Sequence, residues 1–431
     1  MKRAKKILLW TGISLGTLIA ILLICAACYS WILGSRLEKR LAAIKAAGDP
    51  ICLADLARKP IPPEQNDATY LLRAKDDANA VVNEVYDLKS YQDWCYDPED
   101  MKKIKDTLDA YPKVYPLLQQ AAACPDFDSK IDYNLPPRKL MDAILDQMNS
   151  GFSRTPGRYL LARAKLSIFQ NDREEALRSV ILQLQLSRQL EREPLILTNY
   201  LVTIATKHVA LECSNEILQS GPVGDQARAA LDAELSLHGS MDKCRTALKH
   251  ERAFSMDMLI HELPQPFLLA NQWRLYSLNM FEEFLKYSSK PLSDWVSNSY
   301  VQPQKSGLAL YNPITMSIPG LKAALVGAYR NQAMVRAIRI INALQKKAPA
   351  DGDKIPTMAE LGLPDEVGID PFNGKNMIIK KLPQGWLVYS VGENLKDDGG
   401  KVDEEPNGPP LDVGFGPKTA KPQSQEKEPA Q

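Results

Sequence analysis

Apolar residues follow three patterns along the chain. From Ile7 to Leu33 they run on without a charged side chain, enough for a helix to cross a hydrocarbon layer that takes about 20 residues. From Ala68 to about Lys290 they recur at helical spacing between short polar or Pro-containing breaks. Beyond Asp370 they contract into short runs bounded by turn residues. These patterns predict a mainly α protein: a cytoplasmic N-terminus at 1–6, a transmembrane helix at 7–33, a stalk and Pro-rich connector at 34–67, an irregular helical array at 68–318, a small α+β module at 319–416 and a disordered tail at 417–431.

The flanks of the first segment orient it. Lys2, Arg3, Lys5 and Lys6 precede it, whereas Arg36, Lys39 and Arg40 follow together with Glu38, a mild bias that places the N-terminus inside. Trp10, Tyr29 and Trp31 stand near its ends, where interfacial anchors belong. A cleaved signal is the rival reading, because Ala26-Ala27-Cys28 resembles a lipoprotein processing site. The apolar run continues through Tyr29 to Leu33, however, and Cys25 stands where Leu is usual. The expectation is a single-pass protein of the inner (cytoplasmic) membrane, held in the lipid bilayer by residues 7–33, with most of the chain extracytoplasmic.

Leu37, Leu41 and Ile44 continue the helix with one apolar face, and Gly48-Asp49-Pro50 ends it. Pro60, Pro62 and Pro63 then stiffen a connector. A helical hairpin is predicted from Tyr159–Phe169 and Glu174–Leu190 around Asn171-Asp172, and a third helix from Glu193-Pro194 to Gln219. Asp225–Leu237 and Asp242–Leu263 follow. With Ala164 and Ala176 at close-packing positions, the hairpin resembles one tetratricopeptide-like unit, although no repeat period runs along the chain. Arrays of this kind bind protein partners through a concave face, so the expected partner is another envelope protein.

In the C-terminal module, Met334, Ile338, Ile341 and Leu344 share one face of a helix over Leu321–Leu344. Thr357 and Glu360 have capping-box spacing for a very short helix that includes Leu361. Turn signals at Asp370-Pro371, Asn373-Gly374 and Pro383-Gln384-Gly385 bracket a hairpin of Met377–Lys380 and Trp386–Val391.

The order helix, DPFNGK at Asp370–Lys375, GWLVYSVG at Gly385–Gly392 and DDGG at Asp397–Gly400 resembles the C-terminal half of type II secretion major pseudopilins. It is similar, more closely, to bacterial membrane-anchored envelope proteins that carry this module behind a membrane helix and a helical region. Met1–Leu33 lacks the Gly-ended leader and the buried Glu of true pseudopilins. The pseudopilin resemblance implies a calcium loop after the YSVG strand, for which Asn394, Asp397, Asp398, Asp403 and Asp412 supply hard oxygen donors. The family's Asp-Gly turn is replaced by Asn394-Leu395, and the alternative is a solvated acidic loop without metal.

Composition then narrows the function classes. Lys+Arg at 53 against Asp+Glu at 52 gives a net charge of +1, with no basic surplus for nucleic acid. Four histidines limit acid/base and metal chemistry. His250-Glu251 and His261-Glu262 lack the second histidine of a zinc-protease helix. No Gly-rich phosphate loop precedes a helix, and the cysteines outside the membrane segment have no metal-ligand spacing. No catalytic residue or cofactor other than calcium is proposed from sequence. The expected role is interaction or scaffolding; the alternatives are an atypical pseudopilin-like secretion component with a calcium-binding loop and an enzyme with a carboxylate-based site in the helical domain.

Overall fold

A computed structural model describes residues 2–149, 151–152, 154–194, 196–263, 269–297, 313–346, 355–402 and 411–417. The expected disordered tail beyond Pro417 and the candidate ligand Asp403 lie outside the described residues. In chain order the described helices are α1 (Lys2–Ala46), α2 (Asp67–Val85), α3 (Lys89–Gln92), α4 (Pro98–Ala110), α5 (Val114–Ala123), α6 (Pro137–Asn149), α7 (Arg154–Phe169), α8 (Arg173–Leu190), α9 (Leu197–Gln219), α10 (Asp225–Leu235), α11 (Asp242–Asp257), α12 (Ala270–Tyr287), α13 (Leu292–Ser297) and α14 (Ile318–Lys346). Strands β1 (Ile378–Leu382), β2 (Gly385–Ser390) and β3 (Val413–Phe415) form one antiparallel sheet in the order β1-β2-β3. The protein is mainly helical, with a small three-stranded sheet and one N-terminal helix long and apolar enough to cross a membrane.

Local chemistry accounts for several helix starts and stops. Pro98 stands in the first turn of α4, where its missing N–H costs nothing, and the Asp97 carboxylate accepts from Glu99 and Asp100 at 2.9 and 3.2 Å. Between α7 and α8, Asn171 takes a left-handed φ of 65° and Asp172 caps α8 through the Glu175 N–H. The predicted hairpin is therefore closed by the two residues that broke its periodicity. The reciprocal bonds of the Thr357/Glu360 capping box also form, on a turn rather than a helix.

α1 leaves its apolar segment without a break. Trp10, Leu22, Ile24 and Trp31 are exposed, whereas Leu33 and Leu37 are buried against the domain. Leu37 packs with Met256 of α11 and Leu278 of α12, flanked by Leu41 and Ile44. Burying a leucine in this way contributes roughly 1.5–3 kcal/mol. The segment read as a stalk is thus packed along the domain. Arg40 pairs with Glu282 at 2.5 Å, and Asp49 meets Lys249 at 2.7 Å and Arg252 at 3.6 Å.

The N-terminal helices α2, α4 and α5 close on α7 and α8 through Leu71, Val81, Ile104, Leu118 and Leu160. Beside them Lys165 is fully buried; its ammonium donates to the carbonyls of Ser90, Tyr91 and Asp93 at 3.1, 2.5 and 2.9 Å. That cation satisfies the C-terminal carbonyls of α3, which the short helix leaves without partners.

The largest core runs from Ala164 on α7 to Phe415 on β3. No break in it falls at the boundary expected between 318 and 319. α14 lies at its centre, buried on the predicted face by Ile338, Ile341 and Leu344 and on others by Val335, Ala337 and Ile340. A helix apolar on several sides needs cover on each: α9 and α10 supply one side, β2 and β3 another. Side chains from α9 also reach the sheet, Asn215 donating to the Gly416 carbonyl at 2.9 Å and Gln219 to that of Trp386 at 2.8 Å.

Candidate functional site

Two groups of buried carboxylates stand out, one built around the start of α2 and one in the C-terminal module. In the C-terminal module, turn chemistry at Asp370-Pro371 and Asn373-Gly374 brings the chain back on itself. The Asp370 carboxylate is fully buried and accepts from the Phe372 N–H at 2.8 Å, the Ser390 hydroxyl at 2.7 Å and the Val391 N–H at 3.0 Å. It fastens the DPF turn to the end of β2. Gly392 follows at φ 67°, where an added Cβ would stand 2.4 Å from the Leu411 carbonyl oxygen, so the last position of the YSVG block admits only glycine without movement of the backbone.

The residues proposed from sequence as calcium ligands lie in the adjoining loop. Asp412, also fully buried, accepts from the backbone N–H groups of Asp398, Gly400 and Lys401 at 3.3, 2.8 and 3.2 Å. Asp397 accepts from the Tyr389 hydroxyl at 2.8 Å and from Gly399 at 2.9 Å. These donors hold its carboxyl below the usual carboxylate range, the Gly399 N–H first. Asn394 donates to Asp398 at 2.7 Å and accepts from the Lys396 N–H at 2.9 Å. Burial pushes the Asp412 carboxyl up, against the pull of its N–H donors. Asp412 is therefore brought to the loop as its internal clasp, and Asn394, Asp397 and Asp398 are held by neighbours. Among the described residues, no three His, Cys, Asp or Glu side chains converge as a metal site.

The second group joins three segments around the start of α2. Arg58 of the connector donates to the carbonyls of Phe127 and Arg192 at 2.9 and 3.0 Å and pairs with Asp126. Asn66 exchanges hydrogen bonds with the backbone of Asp128, at 2.7 and 3.0 Å. Glu193 is buried between Ser129, whose hydroxyl donates at 2.5 Å, and the hydroxyl of Tyr133 at 3.4 Å. Asp67 lies among them at 0% exposure, and neither of its carboxylate oxygens has a hydrogen-bond partner among the described residues.

Burial, reinforced by the nearby Glu193 and Asp126 charges, pushes Asp67 up to about 8, and Arg192 opposes the shift. Burial also pushes Glu193 up to about 7, against the stabilising bonds from Ser129. At neutral pH Asp67 keeps its proton. Such shifts mark candidate acid/base groups, but Asp67 and Glu193 are closed to solvent and line no described cavity. A shallow groove elsewhere, between α2 and α4, is lined by Glu84, Glu99, Lys102, Lys103, Asp106, Thr107 and Ala110 and carries charge of both signs.

Sequence reasoning singled out neither Asp67 nor Glu193 as an acid. Asp67 occupies the first turn of a helix, where acids are ordinary, and Glu193-Pro194 has the pattern of a helix opening. The true start of α9 is Leu197, whose N–H is accepted by the Glu251 carboxylate at 3.1 Å. The described cysteines are free thiols, with Cys124, Cys213 and Cys244 buried. No family model, curated protein or solved structure matches the chain.

Proposed function

We propose that this chain is a single-pass protein of the bacterial inner membrane whose helical, extracytoplasmic domain serves interaction or scaffolding in the envelope. The observation that carries the reading is α1: a long apolar helix, exposed along its first part and continued without interruption into a packed domain. The flanking charges put its N-terminus inside. The irregular helical array, with its tetratricopeptide-like α7–α8 hairpin, is the surface for a protein partner, and the DPFNGK-to-DDGG block is the ground for reading the C-terminal module as pseudopilin-like. An enzyme reading has its best anchor in Asp67 and Glu193, but both are closed to solvent, so interaction is preferred.

Protease added to intact spheroplasts tests this proposal. Digestion of the domain before lysis is the expected result. Protection until lysis would put the domain on the cytoplasmic side and overturn the assignment.

A further inference from the structure

We propose that the domain rests on the bilayer, with the N-terminal end of α12 against phospholipid headgroups, instead of hanging from its anchor at a distance. The inference rests on the membrane-anchor reading and adds to it where the domain sits.

The geometry comes from the α1–α12 seam. The Ser30 carbonyl accepts from the Asn271 side chain at 3.2 Å, and Arg40 pairs with Glu282. Ten residues of α1 (40 − 30) are thus matched by eleven of α12 (282 − 271), so the helices run in the same direction. α12 rises away from the membrane beside α1, starting at the level of Ser30.

Length sets that level to within one helical turn. The 20 residues from Trp10 to Tyr29 rise about 30 Å as a helix, which is the thickness of the hydrocarbon core. The next residue, Ser30, carries the hydrogen bond to Asn271 of the domain. Counted from Ile7, the 20 residues end at Ala26, and less than one helical turn, Ala27–Tyr29, separates the hydrocarbon from the domain. Tyr29 and Trp31, both exposed, lie where an aromatic belt would meet the headgroups.

α11 supports the same placement from the other direction. Its Lys249 and Arg252 lie beside Asp49, at the far end of the seam, whereas Met256 packs with Leu37. The helix therefore descends towards the membrane, and its π-helical end at Met258–Glu262 arrives on that side with Ile260 exposed. Among the described residues no side chain caps the first turn of α12, and the Arg274 Nε is buried without a hydrogen-bond partner.

The full chain, reconstituted in nanodiscs of phosphatidylethanolamine and phosphatidylglycerol, tests the placement. An environment-sensitive fluorescent amino acid is installed singly at Gln272, Leu18 or Lys105, and the lipids carry a spin-label quencher on either headgroup or acyl chain. The headgroup quencher is expected to remove most emission from position 272 and little from 105, and the acyl-chain quencher to remove most from 18. If position 18 is quenched while 272 behaves like 105, the domain stands off and the proposal is wrong. If position 18 also escapes, the anchor itself is absent and both readings fall.

Discussion

Two regions of the domain bury carboxylates in opposite ways. In the C-terminal module Asp370 and Asp412 each collect three donors, most of them backbone N–H groups, and each ties together segments that the sequence separates. At the start of α2 the equally buried Asp67 has no hydrogen-bond partner among the described residues and lies near two other acids, Glu193 and Asp126, with Arg192 opposing them. A buried charge is tolerable only when its hydrogen-bonding capacity is met; otherwise the group retains a proton. The first arrangement makes the acid the clasp of a loop, and the second leaves a neutral acid inside a polar knot.

Removing the satisfied acid should have the largest effect. Asp370→Ala strands two buried N–H groups and the Ser390 hydroxyl, and a loss of roughly 3–5 kcal/mol is expected, read as a lower urea midpoint. A loss below about 1 kcal/mol would mean that water replaces the carboxylate and that the contrast with Asp67 is overstated.

The unsatisfied acid predicts a pH dependence of the opposite sign from that of an ion-paired carboxylate. Asp67 rises from 3.8 when unfolded to about 8 when folded. The folded state therefore binds the extra proton across that interval, and the contribution of Asp67 to stability is fully present below about pH 4 and is lost as pH rises towards 8. One retained proton gives a slope of up to about 1.4 kcal/mol per pH unit. Glu193 adds to it from 4.5 to about 7. Asp67→Asn should flatten the decline, and a series of urea titrations from pH 5 to 9 would show this. An unchanged slope would mean that Asp67 is ionised in the fold.

The smallest effect is expected from metal. Since loop N–H groups already occupy Asp412, and Asn394, Asp397 and Asp398 have protein partners, adding calcium or a chelator should leave the melting temperature where it was. Calorimetry would settle the matter; a calcium-dependent rise would show that the loop reorganises around the ion.

The elements legible in the sequence are those decided locally. The α7–α8 hairpin follows from apolar spacing and from Asn171-Asp172, and the β1–β2 hairpin from its turn residues and alternating strands. β3 was missed because three residues with Gly414 at their centre carry no strand signal; only pairing with β2 makes Val413–Phe415 extended. The end of the third helix was legible at Gln219, but its start was not, because the group that accepts from its first N–H is Glu251, 54 positions away. The same limit hid the site residues. Asp370 reads as a turn former, whereas its hold on Ser390 and Val391 depends on the fold, and nothing beside Asp67 in the sequence signals that it has no donor.

The ties between α9 and the sheet set an order of assembly. Ile217 belongs to the same core as Phe415, 198 residues later (415 − 217), and Asn215 and Gln219 take their partners from Gly416 and Trp386. As the chain emerges, the α7–α9 helices can form early, but one side of their core stays uncovered until α14 and the last strand arrive. Contacts this distant in sequence slow folding and prolong the exposure of apolar surface. The core is therefore complete only once β3 is in place, the last described strand, a three-residue segment that closes a core begun more than two hundred residues before it.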